Sequence, residues 1–253
     1  MSDLDQAPRA ETPEPLEPRD PSSTGDTPIN RAAAAIRRIS AMMVGQPLSD
    51  DALSAAAERL GTIADTLSSE VATSKRPRGQ PNPLRHPADF FPTSPMIGWA
   101  NPIAPPVEVW AEVGENGQRE IRGRVTFDYP YEGPPTCVHG GVIAELFDEL
   151  LGSANIIAGR AGMTGTLTVR YRKPTPLLAP LDIVARHTGT DGRKIFTWGG
   201  LYHDGELTAE AEGIFIEVKP GRMLDIATTN ARESSSPVLD PDFVRLIAEN
   251  AAD

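Results

Sequence analysis

Residues 138–152 read Val-His-Gly-Gly-Val-Ile-Ala-Glu-Leu-Phe-Asp-Glu-Leu-Leu-Gly, and the architecture of the chain follows from them. His139-Gly140-Gly141 opens an apolar helix, and Asp148 comes nine residues after the histidine. Glycines let the backbone approach a ligand closely. The first N–H groups of a helix lack intrahelical partners and point outward with the positive end of the dipole. Such a terminus suits an oxyanion. At the helical period, Gly141, Glu145, Asp148 and Gly152 share one stripe, while Val142, Ile143, Leu146, Phe147, Leu150 and Leu151 form a broad apolar surface. Asp148 therefore stands at the border of a largely buried helix, and Glu145 and Glu149 read as ordinary solvated acids.

Working outward, alternating β-branched and aromatic residues predict strands at 107–113, 119–127, 164–173, 181–190, 193–203 and 206–219. Asn116-Gly117 and Asp191-Gly192 mark hairpin turns. One long apolar helix, 139–158, lies between the second and third strands. This order implies an α+β fold, a sheet wrapped around a central helix.

Three separated matches carry a family resemblance: His-Gly-Gly with an acid nine residues after the His, Thr-Val-Arg-Tyr-Arg-Lys-Pro-Thr-Pro-Leu at 168–177, and Asp-Gly-Arg-Lys at 191–194. Over residues 105–219 the chain resembles the hotdog-fold acyl-CoA thioesterases of the PaaI-like and THEM4-like branch. The resemblance implies a hotdog fold and hydrolysis of acyl-CoA to free acid and CoA, without cofactor or metal. It implies active sites shared across a homodimer or homotetramer interface, with Asp148 of one protomer facing the His-Gly-Gly turn of its partner.

A thioester is already activated, so two devices suffice: donors for the developing oxyanion, and a carboxylate that deprotonates water or attacks directly. The backbone N–H groups of Gly140 and Gly141 supply the first and Asp148 the second, as base or nucleophile. By resemblance, His139 assists and the Thr164 hydroxyl orients the water. Some members place an Asn six residues before the His, where this chain has Gly133, so here the oxyanion site leans on Gly140 and the His139 side chain. Taken alone, a His before two glycines is an ordinary helix cap; the matched context is what raises it to a site residue. The adjacent Cys137 has no matching role in the family.

Residues 161–190 carry a local charge of +3 in an acidic chain, from Arg170, Arg172, Lys173 and Arg186 against Asp182. Alternation puts Arg170 and Arg172 on one side of their strand, opposite Val169 and Tyr171. Together with Arg193 and Lys194, whose positions match coenzyme contacts in the family, they are the expected substrate-binding cations. Solvated strand cations would look the same in sequence.

Residues 1–28 hold seven acids, two arginines and six prolines, and almost no large apolar groups, so disorder is expected there. Two amphipathic helices follow within 29–74, the second capped by Ser49 or Asp50 and running to about Val71. Residues 75–88 read as a linker, 89–220 as the thioesterase domain, and 221–253 as a polar tail with a short helix over 240–251. Segment 89–106, with Phe90, Phe91, Met96, Ile97 and Trp99 among helix breakers, either covers a sheet edge or lines a tunnel suited to a medium or long aliphatic chain; composition favours the cover.

A net charge of −11 argues against nucleic-acid binding, and one cysteine excludes an internal disulfide or a multi-cysteine metal site. No run reaches the about 20 apolar residues of a membrane span, and the acidic, proline-rich N-terminus is unlike a secretory signal, so a cytoplasmic protein is expected. A non-catalytic acyl-CoA-binding or regulatory hotdog is the alternative, which retention of Asp148 disfavours. A hotdog dehydratase or hydratase resembles a different pattern.

Overall fold

The apolar run after His139 forms α4, Gly140–Ile157. Leu146, Phe147, Leu150 and Leu151 on it are wholly buried. The computed structural model describes residues 27–70, 87–114, 117–219 and the single positions 221, 222, 225 and 229. Six antiparallel strands surround the helix: β1 (Glu108–Val113), β2 (Arg119–Thr126), β3 (Gly162–Tyr171), β4 (Pro180–Asp191), β5 (Lys194–His203) and β6 (Glu206–Glu217). Each lies within two residues of its expected bounds. Their order across the single sheet is β1-β2-β4-β5-β6-β3, so α4 carries the chain from β2 over the concave face to the far edge. This is the α+β hotdog arrangement expected.

Strand alternation aims Val109, Ala111, Ile121, Val125, Leu181, Ile183, Ala185, Ala209, Ala211 and Phe215 into one core with α4. Burying each large aliphatic or aromatic side chain stabilises by about 1.5–3 kcal/mol. Gly199 on β5 leaves room for the helix, since a Cβ there would stand 3.2 Å from Leu151 Cδ2 and 3.3 Å from Phe147 Cδ1.

Three details of the strands were not anticipated. The third strand ends at Tyr171, because Arg172 and Lys173 both turn their N–H groups to the Thr208 carbonyl and Pro174 follows with none to donate. A bulge between Thr164 and Thr166 also breaks its register with β6. In the β4–β5 hairpin, Asp191 pairs with Lys194, so the tight loop is Gly192-Arg193, with Gly192 at φ +56°.

Near the N-terminus, α1 (Pro28–Gly45) and α2 (Asp50–Ser69) are capped by Thr27 and Ser49. Pro28, expected to close the tail, is instead the first residue of α1, where a missing N–H costs nothing. Gly45 packs against the Tyr129 ring, and Arg37 Nη1 donates to the Asn101 carbonyl at 3.0 Å. No residue of α2 is buried. Residues 1–26 of the expected tail 1–28, the end of the expected second helix from Val71, residues 75–86 of the expected linker 75–88, Asn116 and the helix over 240–251 lie outside the described residues.

The segment before β1 starts with the short helix α3 (Pro87–Phe90). Met96 and Ile97 are each 2% exposed and belong to the core cluster with Val109 and Ala111. They act as cover over the β1 side of the sheet. The Phe90 side chain lies outside the described residues.

Candidate active site

His139 takes the N-cap of α4 at φ −61°, ψ 132°. Its own N–H donates to the Tyr131 carbonyl at 2.9 Å, and the N–H of Val138 donates to Thr175 at 2.9 Å. The turn is thus sewn to a 3-10 turn, Tyr129–Tyr131, on one side and to the loop after β3 on the other. Tyr131 is itself fixed: its hydroxyl donates to the Ile103 carbonyl at 2.9 Å, and its ring meets Phe127 edge-on at 5.5 Å. Burial pushes its phenol up to about 12, with Arg37 opposing and Asp128 and Glu145 adding, so it stays a donor across ordinary pH.

The His139 side chain closes back on the helix, its Nδ1 accepting from the Gly141 N–H at 2.9 Å. One N–H cannot serve both a cap and a ligand. Of the two N–H groups expected to face an oxyanion, that of Gly141 is thus turned to the imidazole, and no hydrogen bond is described for that of Gly140.

Eight residues along, the exposed Asp148 accepts a hydrogen bond from the Thr164 hydroxyl at 2.7 Å. The bulge at Gly165 makes this contact possible. Leu167 and Val169 pack toward the core, and strict alternation would send Thr164 to the opposite face; one extra residue restores it to the helix side.

Glu149, expected to be solvated, is half-buried and accepts from Ser94 Oγ at 2.8 Å. The same oxygen caps the N–H groups of Met96 and Ile97, at 3.1 and 3.2 Å, so Glu149 ties the covering segment to α4. Burial raises its carboxyl above the usual range, with the Ser94 bond opposing and Asp148 and Glu145 adding. Helix periodicity gave no sign of this, because Ser94 lies on a segment distant in sequence.

The expected cations divide. Arg170 and Arg172 lie on the outer face of the sheet, opposite α4, where they pair across β6 with Glu212 at 3.1 Å and with Glu210. Hydrogen bonds from Arg172 and Trp198 hold Glu210 below the usual carboxylate range. Arg193 and Lys194 sit at the β4–β5 turn. Thr164 pairs with Phe215, and Phe215 with Ile195. Neighbouring strands are about 4.8 Å apart, so this turn lies roughly 10 Å from Thr164. Cys137 is half-buried and serves the turn through its backbone, bonding to Gly133 and Pro134. Among the described residues no group of three His, Cys, Asp or Glu is placed to hold a metal ion, and no helix is long and apolar enough to cross a membrane.

Tyr171 was missed as a site residue. Its hydroxyl donates to the Gly140 carbonyl at 2.7 Å. Alternation had placed it with Val169 on the face opposite Arg170 and Arg172, which was the available signal.

No protein-family model matches the chain. It is 37% identical over 94 residues to acyl-coenzyme A thioesterase THEM4 of Xenopus laevis and 36% identical over 95 residues to that of Mus musculus. These matches take in 36% and 37% of this chain and 42% and 41% of the relatives, so the chain spans about two fifths of the length of the curated proteins it matches. A crystal structure of a thioesterase superfamily protein aligns with TM-score 0.65 at 36% identity, over 76% of this chain and 96% of that one. With more than a third of the aligned residues identical across nearly the whole of that structure, this chain belongs to the thioesterase superfamily.

Proposed function

We propose that this protein hydrolyses acyl-CoA thioesters to free acid and CoA in a site shared between two copies of the chain. The hydrogen bond from Thr164 to Asp148 carries the reading, because it orients an exposed carboxylate that has no structural partner of its own among the described ion pairs. Asp148 takes a proton from water as the water oxygen bonds to the thioester carbon; the C–S bond then breaks and the thiolate leaves. Direct attack by Asp148, giving an anhydride that water opens, uses the same geometry. The oxyanion is held by the Gly140 N–H and the His139 side chain. A donor of this kind is typically worth about 3–4 kcal/mol of barrier.

The second copy follows from distance. A helix rises about 1.5 Å per residue, so Gly140 and Asp148 of one α4 are roughly 12 Å apart. Donor and carboxylate must both come within about 3 Å of the reacting group. Two antiparallel copies bring the turn of one to the acid of the other. The edge of β3, ten residues long and last in the sheet among the described strands, is the pairing surface we assign to a homodimer. We assign Arg193 and Lys194 to the coenzyme phosphates, since Arg170 and Arg172 would have to leave Glu212 and Glu210 to reach them.

The test is free-thiol release from acyl-CoAs of increasing chain length, wild type beside Asp148→Asn. Turnover is expected to fall by about 10²–10⁴-fold in the variant. Co-expressed Asp148→Asn and His139→Ala chains are expected to regain activity, since a mixed pair contains one intact site. Tight acyl-CoA binding without turnover by the wild type would replace this reading with the non-catalytic one.

A further inference from the structure

Tyr171 closes β3 and reaches back over the first turn of α4. Besides its bond to the Gly140 carbonyl, its ring lies so near that a Cβ on Gly140 would stand 3.3 Å from Tyr171 Cζ and Oη. The Gly140 carbonyl and the Gly141 N–H are the two ends of one planar peptide group. Holding the carbonyl therefore sets the direction of that N–H, which points at His139 Nδ1. A ring nitrogen that accepts carries no proton, so the neutral imidazole bears its proton on Nε2. Nε2 has no partner among the described hydrogen bonds, and His139 is exposed, so its N–H can donate to a bound group.

We propose that Tyr171 is a positioning residue for the oxyanion site: through the Gly140–Gly141 peptide it holds His139 as the Nε2–H tautomer, presenting that N–H beside the Gly140 N–H as the second donor. This rests on the hydrolase reading above. It also accounts for Gly133. A Cβ at that position would stand 2.7 Å from His139 Cα, 3.2 Å from its Cβ and 3.3 Å from its Cδ2, so the backbone of His139 first, and its ring beside it, take the room a larger residue would need. The side-chain donor is thus moved from position 133 to position 139. Because Tyr171 and Thr164 both belong to β3, one strand orients the histidine through the turn and the carboxylate through its hydroxyl.

Tyr171→Phe removes the hydroxyl and keeps the ring over Gly140, so the variant is expected to fold. The first readout is the pair of His139 ring ¹⁵N shifts, followed over pH so that the neutral ring is identified. Wild type is expected to show protonated Nε2 and bare Nδ1, and Tyr171→Phe a mixture of tautomers. The second is kinetic. Tyr171→Phe is expected to lower kcat about tenfold with KM nearly unchanged, and to have an effect within about twofold in a His139→Ala background. The same tautomer in wild type and variant, or an undiminished Tyr171→Phe effect without His139, would reduce Tyr171 to a brace between β3 and α4 and overturn the proposal. A wild type that releases no thiol overturns the hydrolase reading and the donor role with it. The tautomer comparison still decides whether Tyr171 sets His139.

Discussion

A Cβ at position 133 would fall 2.7 Å from the Cα of His139, closer than a carbon pair tolerates. Gly133 and His139 are held face to face by the Gly133 N–H bonding to Cys137 and the His139 N–H bonding to Tyr131, each at 2.9 Å. Restoring the Asn that some relatives carry would therefore displace the turn instead of adding a donor. Overpacking of this kind costs about 1–3 kcal/mol. Gly133→Asn is expected to lower both Tm and thioester turnover, measured by thermal unfolding and thiol release on the same preparation. A gain in kcat at unchanged Tm would show that the turn yields.

The bulge at Gly165 gives a second prediction. Deleting Gly165 restores strict alternation and turns either Thr164 or the strand beyond it to the wrong face. Its kcat is expected to fall at least as far as that of Thr164→Val, about tenfold or more, although the threonine is still present. Wild-type turnover by the deletion would disconnect the bulge from Asp148.

The third concerns pH. Burial raises the Glu149 carboxyl above its ordinary value of 4.5. A group that binds its proton more tightly when folded favours the folded state fully below the unfolded value, and that contribution is lost as pH rises through the folded value. Wild-type stability thus has a component that declines above pH 4.5. Glu149→Gln is uncharged at every pH and still accepts from Ser94 through its amide oxygen. Its Tm is expected to exceed wild type at neutral pH by a margin that shrinks toward pH 4.5; a margin independent of pH would show that Glu149 is not the source.

A fourth prediction tests the core directly. Leu150 is wholly buried on the face of α4 turned to the sheet. Leu150→Ala is expected to cost about 2–5 kcal/mol in urea unfolding at fixed protein concentration, with the m-value unchanged. A loss below 1 kcal/mol, well under that cited range, would mean that the concave face collapses onto the helix more readily than its packing implies.

Much of the molecule is written locally. The apolar surface of α4, the alternation of six strands, the cap at Ser49 and the stripe bearing Asp148 depend on residues a few positions apart, and hydrophobic periodicity records them directly. The sequence by itself determined the helix, the strands and the place of Asp148 on the helix border. Only the tertiary structure decided that β3 is an edge, that one extra residue swings Thr164 onto Asp148, that Ser94 buries Glu149, and that Tyr171 and the His139 imidazole together take up the first peptide of α4. Each of these joins groups distant along the chain. Such contacts arise from the closure of the sheet around its helix, and no short window of sequence records them.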